Sequence, residues 1–347
     1  MSRHDVPGVD APALDSWFGA HVPGARPPLE FTVIAGGHSN ITYRVVDSAG
    51  TAFVLRRPPL GHVLATAHDM GREHRIISAL GPTAVPVAPA LALCEDLDVN
   101  GAPFYVMAFV DGAVLAKAED ADAHLPDPAA RHHAGLHTAD ILADLHRVDV
   151  DAVGLGDLAR REGFLDRQLR RWQGQWEASK TRELADMDRA FELLSAHKPD
   201  QRYTGVVHGD FRLGNMITTA EGAVAAVLDW ELCTLGDVLA DLGYLLNHWI
   251  EPGEHVPGGG DPPATAAGGF PTRDEVVARY AERSGHDVSA IGYYRAFSSW
   301  RSAAIVEGVK RRYLEGVMVD AEADVEMFDR AAVERAALAV QLLEESR

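Results

Sequence analysis

The residues best suited to chemistry lie in one run, Val206-Val207-His208-Gly209-Asp210-Phe211-Arg212-Leu213-Gly214-Asn215, answered downstream by Val227-Leu228-Asp229-Trp230. Val206-Val207 reads as an apolar strand entering a polar loop. Met216-Ile217-Thr218 leaves the loop, Ala220-Glu221-Gly222 turns the chain, and Ala225 to Leu228 returns. A turn centred on Glu221-Gly222 sets Asn215 nearly opposite Asp229. A carboxamide oxygen and a carboxylate converging at a strand end, beside the further acid Asp210, suit a hard cation such as Mg²⁺. The spacing therefore predicts a metal site on Asn215 and Asp229, with Asp210 next to it.

The flanking sequence supplies the elements that position these groups. Residues 1–28 are rich in Pro, Gly and Ala, with one short helix expected around Leu14 to Phe18. Strands are expected over Phe31 to Ile34, Ile41 to Val46 and Ala52 to Arg56, with a glycine loop, Ala35 to Asn40, between the first two. A helix is expected over Ala65 to Leu80, where Met70, Glu73, Ile77 and Leu80 share a face. An acid inside that apolar stripe needs a partner. Ala90 to Glu95 and Phe104 to Phe109 read as strands joined through Asn100-Gly101, a hairpin signal.

From Asp127 onward the pattern is mostly helical. Helices are expected over Ala129 to Val148, over an interrupted stretch Glu162 to Leu194, and over Val238 to Trp249 with Asp237 as N-cap. Glu251 to Gly269 reads as a Gly/Pro-rich loop. Thr272 and Glu275 form a capping box for a helix to Ser284, and helices over Ala290 to Leu314 and Ala321 to Glu345 follow. His132, His133, His137 and His146 fall on mixed faces and read as solvated or core histidines. Arg167, Arg170, Arg171, Lys180 and Arg182, and later Arg301, Lys310, Arg311 and Arg312, read as solvated faces or as basic walls for an anionic acceptor.

His-x-Asp, Asn five residues after that Asp, and a later Asp at a strand end resemble the catalytic constellation of kinase-like phosphotransferases. His208-Gly209-Asp210 is similar to the aminoglycoside phosphotransferase and choline kinase branch. The longer string HGDFRLGN…VLDWE…GDVLADLGYL resembles the phosphotransferase-like domain attached to some acyl-CoA dehydrogenases. The likeness runs from about Phe31 to Leu246. It implies an α+β, two-lobed protein-kinase-like fold: a small antiparallel five-stranded N-lobe with one helix over 29–110, then a larger, mainly helical C-lobe over 111–347.

The resemblance also implies roles. Gly36, Gly37, Ser39 and Asn40 would cover the phosphates of ATP, and adenine would lie near Met107 to Phe109, at the hinge to the C-lobe. A strand-three lysine normally pairs with the helix glutamate. Here the matching positions are Arg56 and Glu73, and arginine keeps the charge with a different donor geometry. Asp210 would orient and deprotonate the acceptor hydroxyl, Arg212 would reach the transferred phosphoryl group or an anionic acceptor, and Asn215 and Asp229 would hold Mg²⁺. His208, Asp237 and Asp241 would brace the segment. The implied reaction is transfer of the γ-phosphoryl group of ATP to a hydroxyl of a small molecule, a hydroxyacyl-CoA or similar anionic metabolite. An aminoglycoside-type antibiotic kinase, a choline-like acceptor caged by Trp172, Trp176, Tyr293 and Trp300, a metal-dependent hydrolase, and a catalytically silent nucleotide-binding module are the alternatives.

Composition bounds these readings. The chain has 347 residues, 47% of them hydrophobic, enough for a large two-lobed unit. Its formal charge of −19, from 32 Lys+Arg and 51 Asp+Glu, disfavours nucleic acid or an anionic membrane as partner. Two cysteines, Cys94 and Cys233, make neither a disulfide framework nor a zinc spacing, as in a reducing cytosol. No basic-then-apolar leader and no run of about 18 apolar residues is present, so a cytoplasmic protein is expected. Oligomeric state leaves no mark in the sequence.

Overall fold

The structure, a computed structural model, describes residues 6–35, 40–60, 69–316 and 324–346. Its contacts divide the chain into two compact units. One comprises Met1–Asp111 with Ala225–Glu231, and the other Gly112–Val224 with Leu232–Arg347.

The first unit opens with α1 (Ala11–His21), capped by Asp10, whose side chain accepts the Ala13 N–H. Strands β1 (Glu30–Ala35), β2 (Ile41–Val46) and β3 (Ala52–Arg57) follow, then α2 (Met70–Leu80), β4 (Ala90–Cys94), the short α3 (Leu97–Asn100) and β5 (Phe104–Ala108). They form the expected five-stranded antiparallel sheet, in the order β1-β2-β3-β5-β4. Alternation buries Tyr43 and Val45 of β2 on one face, where they join Phe53, Leu55, Phe104 and Val106. Leu14, Trp17 and Phe18 of α1 complete that cluster, so the N-terminal stretch packs on the sheet. On α2 the stripe Met70, Glu73, Ile76, Ile77 and Leu80 is buried, and Asp69 caps the helix.

One expected turn differs. Asn100-Gly101 is not a two-residue hairpin, because Leu97–Asn100 forms a helical turn that Gly101 ends at φ 71°. A left-handed glycine serves a hairpin and a helix C-cap equally well, so the dipeptide alone does not discriminate.

In the second unit, β6 (Ala113–Val114) is followed by α4 (Ala118–His124), α5 (Pro128–His146), α6 (Phe164–Ser179) and α7 (Ala185–Ala196). The expected interruption of Glu162 to Leu194 falls between α6 and α7. Then come β7 (Thr204–Val207), β8 (Met216–Thr218), β9 (Val224–Val227), which runs on into the first unit, and β10 (Thr234–Asp237). The helices α8 (Leu239–Asn247), α9 (Arg273–Ser284), α10 (Ile291–Leu314) and α11 (Val325–Glu345) complete it.

β7 pairs antiparallel with β10, Val207 against Thr234, and β8 pairs with β6. The Thr219 N–H donates to the Ala223 carbonyl, closing the turn where the sequence places it. Asp237 was expected to cap α8. It is the last residue of β10, two before α8, where the Leu239 backbone N–H acts on its carboxylate and its Oδ2 accepts from the buried Tyr294 hydroxyl. The capping box of Thr272 and Glu275 is present. α10 packs against α8, α11, α6 and α7 around Trp300, Tyr294 and Phe297, all fully buried. Among the described residues, no helix is long and apolar enough to cross a membrane.

Candidate active site

β7 carries the chain into His208-Gly209-Asp210 in the second unit. Gly209 sits at φ 88°, and a Cβ there would come 3.0 Å from the Leu232 carbonyl oxygen, so the bend requires glycine. The loop's backbone is held by one acid. Asp241, in the first turn of α8 and 1% exposed, accepts the His208 N–H at 2.6 Å and the Gly209 N–H at 2.9 Å. Burial alone would raise the pKa of Asp241; His146, His208 and the Gly209 N–H outweigh it and hold it below the usual carboxylate value. The Gly209 carbonyl accepts from the Arg301 guanidinium at 3.0 Å. His208 is fully buried, and its Nδ1 accepts the Asp210 N–H at 3.2 Å, so it braces the loop.

The Asp210 carboxylate is then fixed by side chains. Asn215, in a 3₁₀ turn over Leu213–Asn215, donates Nδ2 to Asp210 Oδ2 at 2.7 Å and to its carbonyl at 2.8 Å. Arg212 Nε lies 3.3 Å from Oδ1, and the Tyr244 hydroxyl donates to the same oxygen. Burial first, then the Asp210 charge, pushes the Tyr244 phenol far above its ordinary pKa, so it stays a donor. Tyr244 escaped the sequence reading. Its signal is position, one turn beyond Asp241 on the same helix.

The first unit assembles the other predicted group. Arg56 of β3 stands beside Tyr105 of β5 in the ladder. Its Nε lies 3.1 Å from Glu73 Oε2, its Nη2 2.5 Å from Asp229 Oδ1 and 3.8 Å from Glu231. Burial opposes the Arg56 charge, but Glu73, Tyr105 and Asp229 hold its pKa above the ordinary arginine value. Glu73 is 2% exposed and also accepts from Asn40 at 2.7 Å and Tyr105 at 3.0 Å. Asn40, expected at the nucleotide, thus has its amide nitrogen on Glu73. Among the described residues Asp229 is the one non-glycine with positive φ, 64°. Aspartate tolerates that region better than most, and such outliers collect at functional sites.

Gly36, Gly37 and Ser39 lie outside the described residues. Met107 is a buried rung of β5, paired with Val54 and Ala90, and Phe109 follows the strand end with Arg44 5.2 Å from its ring centroid.

Each residue expected to hold Mg²⁺ offers, within its own unit, an oxygen of the kind a hard cation takes. Asn215 uses its amide nitrogen on Asp210, which leaves its oxygen as the acceptor. Asp229 offers a carboxylate that is 29% exposed.

The candidate basic walls are largely committed elsewhere. Lys310 pairs with Asp329 at 2.6 Å, Arg182 with Asp329 at 3.1 Å, Lys180 with Glu177 and Glu183, and Arg311 with Glu315. Arg301 stacks over Tyr244 and Trp172. Trp176, Tyr293 and Trp300 are core residues, so they do not form an aromatic cage.

The model of the phosphotransferase enzyme family (APH) matches residues 30–316. The chain belongs to this family. A crystal structure of a Ralstonia eutropha protein classed as an aminoglycoside phosphotransferase is 33% identical, with TM-score 0.81, covering 97% of this chain and 98% of that one. The chain is also 37% identical over 309 residues to acyl-CoA dehydrogenase family member 10 of Mus musculus. That alignment covers 87% of this chain but 28% of the mouse protein, so the chain spans under a third of that relative. An amicoumacin kinase solved with AMP-PNP, Ca²⁺ and its antibiotic shares the fold at TM-score 0.59 and 15% identity, covering 99% of this chain and 96% of that one. The kinase-like fold and membership among small-molecule phosphotransferases are thereby shown.

Proposed function

We propose that this family member is an ATP- and Mg²⁺-dependent cytoplasmic kinase that phosphorylates a hydroxyl of a small anionic metabolite of the hydroxyacyl-CoA type. The observation that carries the reading is the Asp210 carboxylate, positioned by Asn215, Arg212 and Tyr244 on a loop that Asp241 holds from below. Phosphoryl transfer needs positioning and charge neutralisation more than covalent help from the protein. Asp210 orients the acceptor hydroxyl and takes its proton. Arg212 offsets negative charge beside it. Arg56, steadied by Glu73, meets the nucleotide phosphates. Asp229 and the Asn215 oxygen would be the hard donors for Mg²⁺, which would supply charge neutralisation at the phosphates. The bound nucleotide analogue and divalent cation named for the amicoumacin kinase support nucleotide use by this fold, and the acyl-CoA dehydrogenase relatives support the acceptor class.

A second reading, a catalytically silent nucleotide-binding module, draws on the Arg56–Asp229 contact, which engages the metal-binding candidate internally. Calorimetric titration with ATP, with and without Mg²⁺, followed by ADP-release assays on hydroxyacyl-CoAs, aminoglycosides and amino alcohols separates the readings. Mg²⁺-dependent binding with a phosphorylated hydroxyacyl-CoA supports the kinase. Binding without turnover supports the silent module, and turnover confined to aminoglycosides refutes the acceptor class.

A further inference from the structure

A cavity of about 190 Å³ in the second unit, walled by α8, the loop after it, α10 and α11, shares Arg212 and His248 with the surroundings of Asp210. Asn247, Ser299, Ser302 and Arg335 also line it. Arg335 is the unusual member. Its guanidinium forms no ion pair with a carboxylate among the described residues, although the chain carries 51 acids. The neighbouring Glu334 is already engaged by His255 at 2.8 Å and by the Gly258 N–H at 2.6 Å. The cavity's own acid, Asp261, lies near Lys117. The Ser299 hydroxyl donates to the Arg335 carbonyl at 2.9 Å and ties that turn of α11 to α10. Burial lowers the pKa of Arg335 by more than the charges of Tyr244 and Glu334 raise it, which marks a cation partly stripped of water and incompletely compensated by the protein. Partly desolvated charges are ordinarily paired.

We infer that this cavity is the acceptor's anion subsite: Arg335 takes a carboxylate or phosphate group of the acceptor, while Arg212 meets the same molecule beside Asp210. A guanidinium grips either oxyanion through two parallel N–H donors, which fixes orientation as well as position. Asn247, Ser299 and Ser302 supply neutral polar groups around it. His248 adds no competing positive charge at neutral pH, because burial holds its pKa at about 4. The inference rests on the proposed kinase reading for its meaning, and it makes Arg335 the specificity-determining residue of that site.

The test uses the full chain, wild type, Arg335→Met and Arg335→Lys. Calorimetry with inorganic phosphate and with 3-hydroxybutyrate is run without nucleotide, and Mg·ATP is titrated separately. Turnover is then measured on 3-hydroxybutyrate, 3-hydroxybutyryl-CoA and the neutral methyl ester of the acid. Loss of a charge-assisted pair should weaken anion binding, and raise KM for the anionic acceptors, by roughly 10- to 100-fold in Arg335→Met. Arg335→Lys should recover part of that loss, and Mg·ATP affinity should be the same in all three proteins. Wild type that binds no anion, an Arg335→Met protein that binds it equally well, or a neutral ester used as readily as the acid overturns the inference. Mg·ATP turnover with an acceptor KM independent of Arg335 refutes the subsite and leaves the kinase reading. Arg335-dependent anion binding in a protein that never binds Mg·ATP does the reverse.

Discussion

Replacing Arg56 by methionine removes a cation from among three carboxylates, and the structure sets the size of the effect. Glu73 is 2% exposed, so water does not replace the lost partner. It keeps two neutral donors, Asn40 at 2.7 Å and Tyr105 at 3.0 Å, which soften the penalty without cancelling the charge. Removing one partner of a buried ion pair costs about 3–5 kcal/mol, and these donors place this case near the lower end, about 3. Asp229 is 29% exposed and is served partly by solvent, so its loss adds about 1 kcal/mol at most. Arg56→Met should therefore lower unfolding stability by about 4 kcal/mol in urea titrations. Glu73→Gln in the Arg56→Met background removes the orphan charge while its amide oxygen still accepts from Asn40 or Tyr105. The double mutant should regain about 2 kcal/mol, which gives a double-mutant cycle a coupling of at least about that size, since Glu73→Gln alone also carries a cost. Additive losses, or an Arg56→Met protein within about 1 kcal/mol of wild type, would refute the reading that Arg56 and Glu73 act as a coupled, partly buried ion pair.

Asp210→Asn should lower kcat by about 10²–10⁴-fold with Mg·ATP affinity kept, as measured by ADP release and calorimetry; full activity removes Asp210 from the mechanism. Asp241→Ala strands the buried His208 and Gly209 N–H groups, at about 1–3 kcal/mol each, and should cost both stability and kcat; a stable variant with normal kcat would mean the loop does not depend on this acid. The His248 contribution to stability should also fall as pH drops from about 6.5 towards 4. His248 stays neutral in the fold down to about 4 but protonates near 6.5 when unfolded, so over that window the unfolded state binds more protons. The full effect is roughly 3 kcal/mol, and His248→Asn should flatten the acid limb of stability against pH.

The sheet was legible because alternation is a property of neighbours: Tyr43 and Val45 declare a buried face without help from distant sequence. The run from His208 to Asn215 was legible for a similar reason, since the turn at 219–223 is local and its residue types have few other uses. What escaped depends on partners far along the chain. Nothing near Asp237 announces the Tyr294 hydroxyl that reaches it, and Arg182, after α6, and Lys310 of α10 look like parts of a docking wall until Asp329 and Glu307 pair with them. Tyr244 was within reach, since the spacing of three from Asp241 puts both on one helix face. Arg335 was not, because nothing in α11 distinguishes it from Arg330, which pairs with Asp324 at 3.2 Å.

The same distinction decides how charge should be read for the acceptor. A formal charge of −19 leaves a cationic acceptor open when it is treated as a property of the whole chain. At physiological salt, exposed charges are screened over about 8 Å, whereas partly buried ones are screened much less. A molecule entering the cavity beside Asp210 therefore responds to Arg212 and Arg335 more than to acids scattered over the surface. An aminoglycoside would bring its ammonium groups against two guanidiniums, whereas a carboxylate or phosphate would meet in Arg335 a cation with no carboxylate ion pair among the described residues; the acid of the cavity wall, Asp261, lies near Lys117. On this account substrate preference follows the sign of the local cavity and runs against the sign of the protein as a whole.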